Sequence, residues 1–300
     1  MKQITIVGTG LIGGSFALAI KKRGFEGKII GCDREAVLQR AKKLGAIDSA
    51  ITDPVYACRG SEIVLLATPV GAIIDLIERL TPLLPVTTLI TDVGSTKAAV
   101  VERARAVLGQ DAGKRFLPGH PMAGKEHCGI EHADPDLFED AVWLVTPLPG
   151  HDLQHGPSGD FVRLVNSLGT RVQAMDAELH DRICAWTSQL PQMLSTALAA
   201  SLADFERETK AANPETPDLN AIGGRALREM TRIAASPYSM WRDIAFTNSE
   251  KIQQALLRLE QRLANLRENL RSRELEVEFE RARKFVSPRK HGGTEPPEFY

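Results

Sequence analysis

A glycine-rich turn near the start of the chain has the spacing of a dinucleotide-binding site. The pattern Gly-x-Gly-x-x-Gly occupies residues 8–13, after a β-forming run (4–7) and before a helix-forming run (15–20). In such sites the first glycine permits a tight turn, the second lets the backbone approach the pyrophosphate, and the third lets the helix pack on the strand. The anion binds to unpaired N–H groups at the positive end of the helix dipole. The predicted contacts in this turn are Gly8, Gly10, Leu11, Ile12 and Gly13.

A carboxylate completes this fingerprint. Asp33 ends a second strand-like run, 29–32, about 20 residues after the glycines, where the ribose-binding acid of such sites lies. A carboxylate there accepts a hydrogen bond from the ribose 2′-hydroxyl and repels a 2′-phosphate. The sequence therefore favours NAD over NADP, although Arg34 beside the acid weakens that preference. The alternative is an ordinary strand–helix turn with a solvated Asp33.

Three further stretches carry side chains suited to substrate chemistry. The first, 92–97, follows a predicted strand. The second, 119–126, holds His120 between a glycine and a proline, and the third, 225–234, is rich in arginine and is followed by 240–243. A dinucleotide site identifies a cofactor but no reaction, so these stretches are the candidates for substrate groups.

Alternating strand and helix patterns position these stretches. Short apolar runs at 63–67 and 87–91 are typical of strands buried on both faces of a parallel sheet. Helical spacing of apolar residues lies between them, at 73–80. This alternation predicts an α/β, doubly wound, mostly parallel Rossmann-like sheet, which binds ligands at the carboxyl ends of its strands. The predicted cofactor contacts at that edge are Thr68, Pro69 and Gly94.

The second part of the chain reads as entirely helical. Asp176 is a candidate N-cap, and Pro191 predicts a kink inside the long pattern that follows. From Ser249 apolar residues recur in alternating steps of four and three, so that helix packs lengthwise on another helix, of the same chain or of a second subunit. The pattern comprises Ile252, Leu256, Leu259, Leu263, Leu266 and Leu270.

These patterns divide the chain into parts. We predict a dinucleotide-binding domain at 1–175, a helical substrate and dimerisation domain at 176–285, and a disordered tail at 286–300. The leucine pattern favours a homodimer.

Composition argues against several classes of protein. The chain has 37 basic and 38 acidic residues and a net charge of −1, which argues against binding to nucleic acid or an anionic membrane. Its 4 cysteines form no Cys-x-x-Cys pair, so we predict no disulfide framework, no metal site and a reducing compartment. The first strand begins too early for a signal peptide, and no apolar run is long enough to span a bilayer, so we expect a cytoplasmic protein.

Four ordered motifs, together with the glycine turn, resemble the prephenate/arogenate dehydrogenase (TyrA) family over residues 4–243. They are Asp-x-Gly-Ser-x-Lys at 92–97, Gly-His-Pro-x-Ala-Gly-x-Glu at 119–126, His180-Asp181 with Ser-Gln-Leu-Pro-Gln at 188–192, and Thr-Arg-Ile-Ala at 231–234 with Met-Trp-Arg-Asp at 240–243. The resemblance implies an oxidative decarboxylation in tyrosine biosynthesis. Hydride passes from the ring carbon that bears the hydroxyl to NAD⁺, and the ring carboxylate leaves as CO₂. Prephenate gives 4-hydroxyphenylpyruvate, whereas arogenate gives tyrosine.

The resemblance also implies residue roles. His120 matches the family's catalytic histidine, which accepts the proton of the ring hydroxyl. Ser95 matches a serine that hydrogen-bonds around that hydroxyl, although it is also a candidate helix N-cap. Arg232 matches an arginine that binds a substrate carboxylate. Glu126 matches an acid at the rim of the site, with a solvated loop charge as the alternative.

The chain departs from the family at Gln192, where a histidine that helps to hold the substrate side chain is common. An amide donates to a keto oxygen or carboxylate and accepts from an ammonium. The pyruvyl side chain of prephenate and the alanyl side chain of arogenate therefore both remain open. The second cation for a dicarboxylate is open too, with Lys125, Arg225 and Arg228 as candidates.

Two other functions fit the dinucleotide fingerprint. A β-hydroxyacid dehydrogenase would be expected to place a catalytic lysine on the first long helix after the sheet, but no lysine lies between Asp176 and Arg207. A nucleotide-sensing scaffold would bind NAD without turnover and would need neither His120 nor Arg232 in the crevice. We therefore favour the dehydrogenase, with both side chains at one small ring on the nicotinamide.

Overall fold

The first part of the chain forms a six-stranded parallel sheet in the order β3-β2-β1-β4-β5-β6. The structure is a computed structural model that describes residues 1–125 and 127–287. The order of the strands reverses between β1 and β4, and ligands of doubly wound folds bind at such a switch point. The predicted Rossmann-like sheet is confirmed. Its strands are β1 (Gln3–Val7), β2 (Lys28–Cys32), β3 (Ser49–Ala50), β4 (Ile63–Leu66), β5 (Leu89–Asp92) and β6 (Phe116–Leu117).

Helices cover both faces of this sheet. Alternate residues of β4 enter different apolar clusters: Leu65 packs in the cluster that contains Phe16, and Leu66 in the cluster that contains Ile73. A strand with both faces buried has no polar face, which explains its uninterrupted apolar sequence. The helices of this part are α1 (Leu11–Lys22), α2 (Glu35–Lys43), α3 (Pro54–Ala57), α4 (Val70–Leu80), α5 (Ala98–Leu108) and α6 (Ala112–Arg115).

A second, three-stranded sheet carries His120. It consists of β7 (Gly119–Pro121), β8 (Val142–Val145) and β9 (Arg171–Ala174), and α7 (Gly156–Ser167) precedes β9. Strand β7 pairs antiparallel with β8, and His120 lies opposite Leu144. Strand β8 is a continuous apolar run in the sequence, whereas β7 consists of a glycine, a histidine and a proline. Strand β7 is short and lies at the edge of its sheet, the position in which a strand tolerates a proline.

The remaining helices begin with α8 (Ala177–Cys184), which Asp176 caps by accepting from the N–H groups of Glu178 and Leu179. A π-helical turn (Ala185–Gln189) joins α8 to α9, and Pro191 lies in the first turn of α9. A proline lacks the N–H that a regular helix needs, and the wider π-helical turn accommodates that loss. This irregular turn lies where Pro191 predicted a kink. The others are α9 (Leu190–Ala212), α10 (Leu219–Ile222), α11 (Arg225–Thr231), α12 (Tyr238–Thr247), α13 (Ser249–Glu268) and α14 (Arg273–Val286).

By its internal contacts the chain divides into two units, Met1–Ile252 and a second that starts at Gln253. In the second unit Arg262 of α13 pairs with Glu278 of α14 at 2.6 Å. The domain boundary near Asp176 stays a prediction. Helix α14 ends at Val286, the first residue of the predicted tail, and residues 288–300 lie outside the described part of the chain. None of the described helices is long and apolar enough to cross a membrane.

Candidate active site

The glycine turn has the geometry that a pyrophosphate site needs. Gly8 has a φ of +94°, and a Cβ added there would lie 2.5 Å from the carbonyl oxygen of Ala67. A Cβ on Gly13 would lie 2.0 Å from the carbonyl oxygen of Gly8, so neither position accepts a side chain. A Cβ on Gly10 would meet no atom within 4 Å. The first and third glycines are thus needed for packing, and the second lies beside open space.

Helix α1 starts directly after this turn. Gly10 is its N-cap and makes no side-chain hydrogen bond, so the first N–H groups of the helix, including those of Leu11 and Ile12, have no capping side chain in the described structure. Thr68, at the end of β4, has its Oγ1 buried without a described partner. Its methyl carbon lies 2.9 Å from the position of a Cβ on Gly8. Pro69 follows as the N-cap of α4. These residues form a cradle that fits a dinucleotide phosphate.

Asp33 lies beside the cradle. Its Oδ2 accepts from the backbone N–H of Thr9 at 2.8 Å, and its Oδ1 accepts from the N–H of Arg34 at 2.7 Å. The side chain of Arg34 is exposed. The two donors fix the carboxylate between the ends of β1 and β2, which is where the 2′-hydroxyl of an adenosine ribose is bound in such folds.

A buried network links the end of β5 to the start of β7. The Asp92 carboxylate pairs with the ammonium of Lys97, and both side chains are fully buried. Its Oδ2 accepts from the N–H of Gly94 at 2.7 Å, and its Oδ1 from the N–H of Gly119 at 3.1 Å. The Asp-x-Gly-Ser-x-Lys motif therefore holds the residue that precedes His120. Asp92 and Lys97 lie in a motif that is visible in the sequence, but no role was predicted for either.

His120 ends a hydrogen-bonded series that we call the histidine relay, made of Asp181, His180 and His120. Nδ1 of His120 lies 2.9 Å from Nε2 of His180, and Nδ1 of His180 lies 2.8 Å from Oδ1 of Asp181. All three residues are buried. The Asp181 carboxylate also accepts the N–H groups of Lys97 at 2.7 Å and Ala98 at 2.9 Å.

The histidine relay fixes the tautomer of His120. A carboxylate only accepts hydrogen bonds, so Nδ1 of His180 carries its proton and Nε2 of His180 has the lone pair. That lone pair accepts from Nδ1–H of His120, which leaves the lone pair of His120 on Nε2. His120 is 8% exposed, whereas His180 and Asp181 are 0% exposed. The arrangement thus leaves His120 with one basic nitrogen, Nε2.

Burial also sets the protonation of this group. Burial, together with the neighbouring His180 and Lys97, holds the pKa of His120 well below its ordinary value of 6.5. Cys184 packs beside the relay, and burial followed by the charge of Asp181 raises the pKa of its thiol to about 12. At neutral pH His120 is therefore a neutral base and Cys184 a protonated thiol.

Ser95 lies half-buried after β5, on the same edge of the sheet. Its alternative as the N-cap of the next helix is wrong, because Lys97 holds that position and α5 begins at Ala98. Asp181, 84 residues from Lys97 in sequence, supplies the acceptor for the first N–H groups. The N-terminus of α5 is therefore capped by Asp181 of α8 and not by Ser95.

The two glutamines of the 188–192 motif have different surroundings. Gln189 is buried and accepts through Oε1 from Asn248 at 2.7 Å. Asn248 also donates to the backbone oxygen of Asp181 at 2.9 Å, so this pair supports the histidine relay. Gln192 donates through Nε2 to the carbonyl of Ile233 at 3.0 Å and to Oγ1 of Thr196 at 3.2 Å.

The predicted cations lie outside the relay. Arg232 is exposed at the start of a 3₁₀ turn (Arg232–Ala235), and the next residue is the one that Gln192 binds. Lys125 is exposed and pairs with Asp134 at 2.9 Å. Arg225 pairs with Glu229 at 2.6 Å, and Arg228 donates to the carbonyl of Gly223 at 3.0 Å. Glu126 lies outside the described residues.

Comparison with known proteins gives two matching family models: prephenate dehydrogenase, nucleotide-binding domain, over 16–162, and prephenate dehydrogenase, dimerization domain, over 176–284. The prephenate dehydrogenase of Lactococcus lactis is 36% identical over 83% of this chain. The match covers 66% of the Lactococcus protein, so this chain spans just under two thirds of that relative's length. A solved prephenate dehydrogenase from A. aeolicus, in complex with hydroxyphenyl propionate and NAD⁺, is 32% identical with a TM-score of 0.81 over 95% of this chain and 96% of that one. The solved Synechocystis arogenate dehydrogenase is 26% identical with a TM-score of 0.73, and the match covers 94% of this chain and 98% of that one.

Proposed function

Because this chain belongs to the prephenate/arogenate dehydrogenase (TyrA) family, we propose that it catalyses the NAD⁺-dependent oxidative decarboxylation of prephenate to 4-hydroxyphenylpyruvate, in tyrosine biosynthesis. The observation that carries the proposal is the histidine relay, which leaves a neutral imidazole with its lone pair on Nε2 at the carboxyl edge of a dinucleotide-binding sheet. A sensor that binds NAD without turnover has no use for a base prepared in this way.

His120 accepts the proton of the ring hydroxyl through Nε2 as the carbonyl forms. Bound NAD⁺ supplies the hydride acceptor, and the ring carboxylate leaves as CO₂. His180 accepts from Nδ1–H of His120 throughout, so the ring stays in one orientation while Nε2 gains a proton. Ser95 hydrogen-bonds the same hydroxyl, and Arg232 binds a substrate carboxylate through its planar fork of donors. Aromatisation supplies the driving force, so the protein mainly orients the ring.

Turnover with each substrate tests this function. We expect reduced cofactor to form, followed by its absorbance, when the purified protein is given NAD⁺ and prephenate. The same reaction with arogenate in place of prephenate measures the side-chain preference. If neither substrate reduced the cofactor, the proposed activity would be refuted.

Arogenate is the second candidate substrate, and Gln192 favours it. Only an amide NH₂ donates to the carbonyl of Ile233, so the orientation of the Gln192 amide is fixed, and its hydrogen bonds to described residues all use Nε2. Oε1 is then left for a ligand, and an oxygen accepts from the ammonium of arogenate but not from the keto group of prephenate.

Replacing Gln192 with histidine is expected to lower the ratio of kcat/KM for arogenate to that for prephenate about tenfold, since one hydrogen bond to a charged group contributes about 1.5–3 kcal/mol. Steady-state rates with both substrates measure the ratio. Thr196→Val is the matched control, because it removes a partner of Nε2 and leaves Oε1 in place. A ratio that is equal in Gln192→His and the wild type would remove Gln192 from substrate selection.

NAD⁺ binding uses the cradle of Gly8, Gly10, Gly13 and Thr68, with Asp33 at the adenosine ribose. Asp33→Asn keeps an acceptor for the Thr9 N–H but removes the charge. We expect the KM for NAD⁺ to rise roughly 10-fold, and NADP⁺ to become a better substrate relative to NAD⁺. Asp48→Asn is the control, because Asp48 holds the N–H of Ile29 near the other end of β2. An unchanged NAD⁺/NADP⁺ ratio in Asp33→Asn would place the ribose elsewhere.

Protonation of His120 should set how kcat/KM falls at low pH. The neutral imidazole is the active form, and its pKa lies below the ordinary 6.5 because the ring is buried beside His180 and Lys97. His120 is therefore protonated only at a pH below its ordinary range. We expect kcat/KM to stay level down to pH 6.5 and to fall only below that pH. A profile of kcat/KM for prephenate against pH measures this. A fall that begins above pH 6.5 would contradict the assignment.

The assembly we propose is a cytoplasmic homodimer. Leu256, Leu263 and Leu270 of the heptad pattern are exposed, and the matched family model over this part is a dimerization domain. Apolar residues repeated at heptad spacing are stable in water when a second helix covers them. Sedimentation of the full chain gives its mass in solution, and a monomer at micromolar concentration would exclude this assembly.

A further inference from the structure

Three side chains with metal-binding atoms meet at the histidine relay. His180 and Cys184 are four residues apart on α8, so they share one face of the helix, and His120 approaches them from β7. Sγ of Cys184 lies 3.6 Å from Nε2 of His180 and 4.0 Å from Nδ1 of His120, and the two nitrogens are 2.9 Å apart. One donor atom from each of these three side chains lies within 4.8 Å of the other two, which is close enough for all three to bind one metal ion.

The dimensions of the triangle fit a tetrahedral ion with two nitrogen ligands and one sulfur ligand. Bond lengths of about 2.0–2.1 Å to nitrogen and 2.3 Å to sulfur place such ligands about 3.4 Å (N to N) and 3.6 Å (N to S) apart. The distance from Sγ of Cys184 to Nε2 of His180, 3.6 Å, matches that value, and the distance to Nδ1 of His120, 4.0 Å, exceeds it. The two nitrogens need to separate by about 0.5 Å to reach the ideal spacing. Soft and borderline cations prefer this donor set, whereas Mg²⁺ and Ca²⁺ prefer oxygen.

We propose that Nδ1 of His120, Nε2 of His180 and Sγ of Cys184 form an inhibitory site for a thiophilic divalent cation such as Zn²⁺. The cation takes the place of the proton between the two imidazoles. Cys184 releases its proton to solvent and binds as the thiolate. The proton of His120 moves from Nδ1 to Nε2, because Nδ1 now binds the metal. No electrons are transferred, and one proton is released for each cation bound.

Inhibition follows from the changed tautomer. With the proton on Nε2, His120 has no lone pair for the ring hydroxyl, so the bound cation removes the base without displacing NAD⁺. This consequence rests on the proposed function, whereas binding of the cation does not. The two are therefore measured separately.

The variant Cys184→Ser tests the site, because Cys184 takes no part in the proposed reaction. We expect micromolar Zn²⁺ to abolish NADH formation by the wild type, a chelator to restore it, and Cys184→Ser to need at least about tenfold more Zn²⁺. The matched control is Cys128→Ser, since Cys128 is an exposed thiol next to His127, and a surface site would depend on it. Cys128→Ser should keep the sensitivity of the wild type. Equal sensitivity of the wild type and Cys184→Ser would overturn the site.

Cobalt gives a readout that is independent of activity. Co²⁺ added to the full chain without substrate should produce a thiolate-to-cobalt charge-transfer band in the wild type and in Cys128→Ser, and no such band in Cys184→Ser. If the wild type gave no band, or if the band were lost in Cys128→Ser, the site would be refuted. A band that depends on Cys184 without any loss of activity would support the metal site and instead refute His120 as the base.

Discussion

Replacing His120 with asparagine is expected to lower kcat by about 10²–10⁴, the range that a positioned general base contributes. Asparagine can place an N–H close to where Nδ1–H of His120 donates to His180, so the buried contact has a substitute. It has no basic nitrogen for the ring hydroxyl, so proton transfer has no acceptor. Steady-state kinetics with NAD⁺ and prephenate measure the loss.

The affinity for NAD⁺ separates this effect from a folding defect. The glycine turn and Asp33 make no described hydrogen bond to His120, so calorimetric titration of His120→Asn with NAD⁺ should give the wild-type Kd. The matched control is His155→Asn, an exposed histidine that pairs with Asp152 at 2.9 Å. It should keep the full rate. If His120→Asn retained more than about a tenth of wild-type kcat, the base would have to be another group.

Local sequence patterns predicted the glycine turn and the position of Asp33 after the second strand. Gly8, Gly10, Gly13 and Asp33 lie in one strand–helix–strand unit, and their roles depend on backbone conformation and strand order. Steric limits alone demand glycine at Gly8 and Gly13, as the contacts of an added Cβ show. A property of the backbone that recurs at fixed spacing is visible in a single sequence.

The substrate end could be predicted only as a set of motifs. His120 and His180 are 60 residues apart and meet through side chains on an edge strand and a helix. Periodicity shows that α8 has a buried face but not which partner lies on it. For the same reason Ser95 was a plausible N-cap. The acceptor for the first N–H groups of α5 is Asp181, from a helix that packs there only in the folded chain.

Replacing His180 tests the histidine relay, and we expect a large loss of activity. His180→Leu removes the acceptor for Nδ1–H of His120, leaving that donor buried and unpaired. The ring then favours other orientations and the tautomer with its proton on Nε2, which has no lone pair on Nε2 to accept the proton of the ring hydroxyl. We expect kcat to fall about 10²–10³, as misoriented or wrongly protonated catalytic histidines do in general. His180→Gln supplies an amide oxygen near the position of Nε2 and should keep kcat within about tenfold of the wild type.

The pH profile distinguishes this positioning role from simple packing. His180 is one of the groups that hold the pKa of His120 below 6.5, so in His180→Gln that pKa should rise toward 6.5. The acid limb of kcat/KM should therefore move to higher pH in the glutamine variant, while its level at neutral pH is largely kept. A purely structural role predicts lower stability with an unmoved limb. Burial is the larger cause of the lowered pKa of His120 and persists in the variant, so the fall in kcat/KM should still begin below pH 6.5. If that fall began at the same pH in His180→Gln and the wild type, His180 would not act on the pKa of His120.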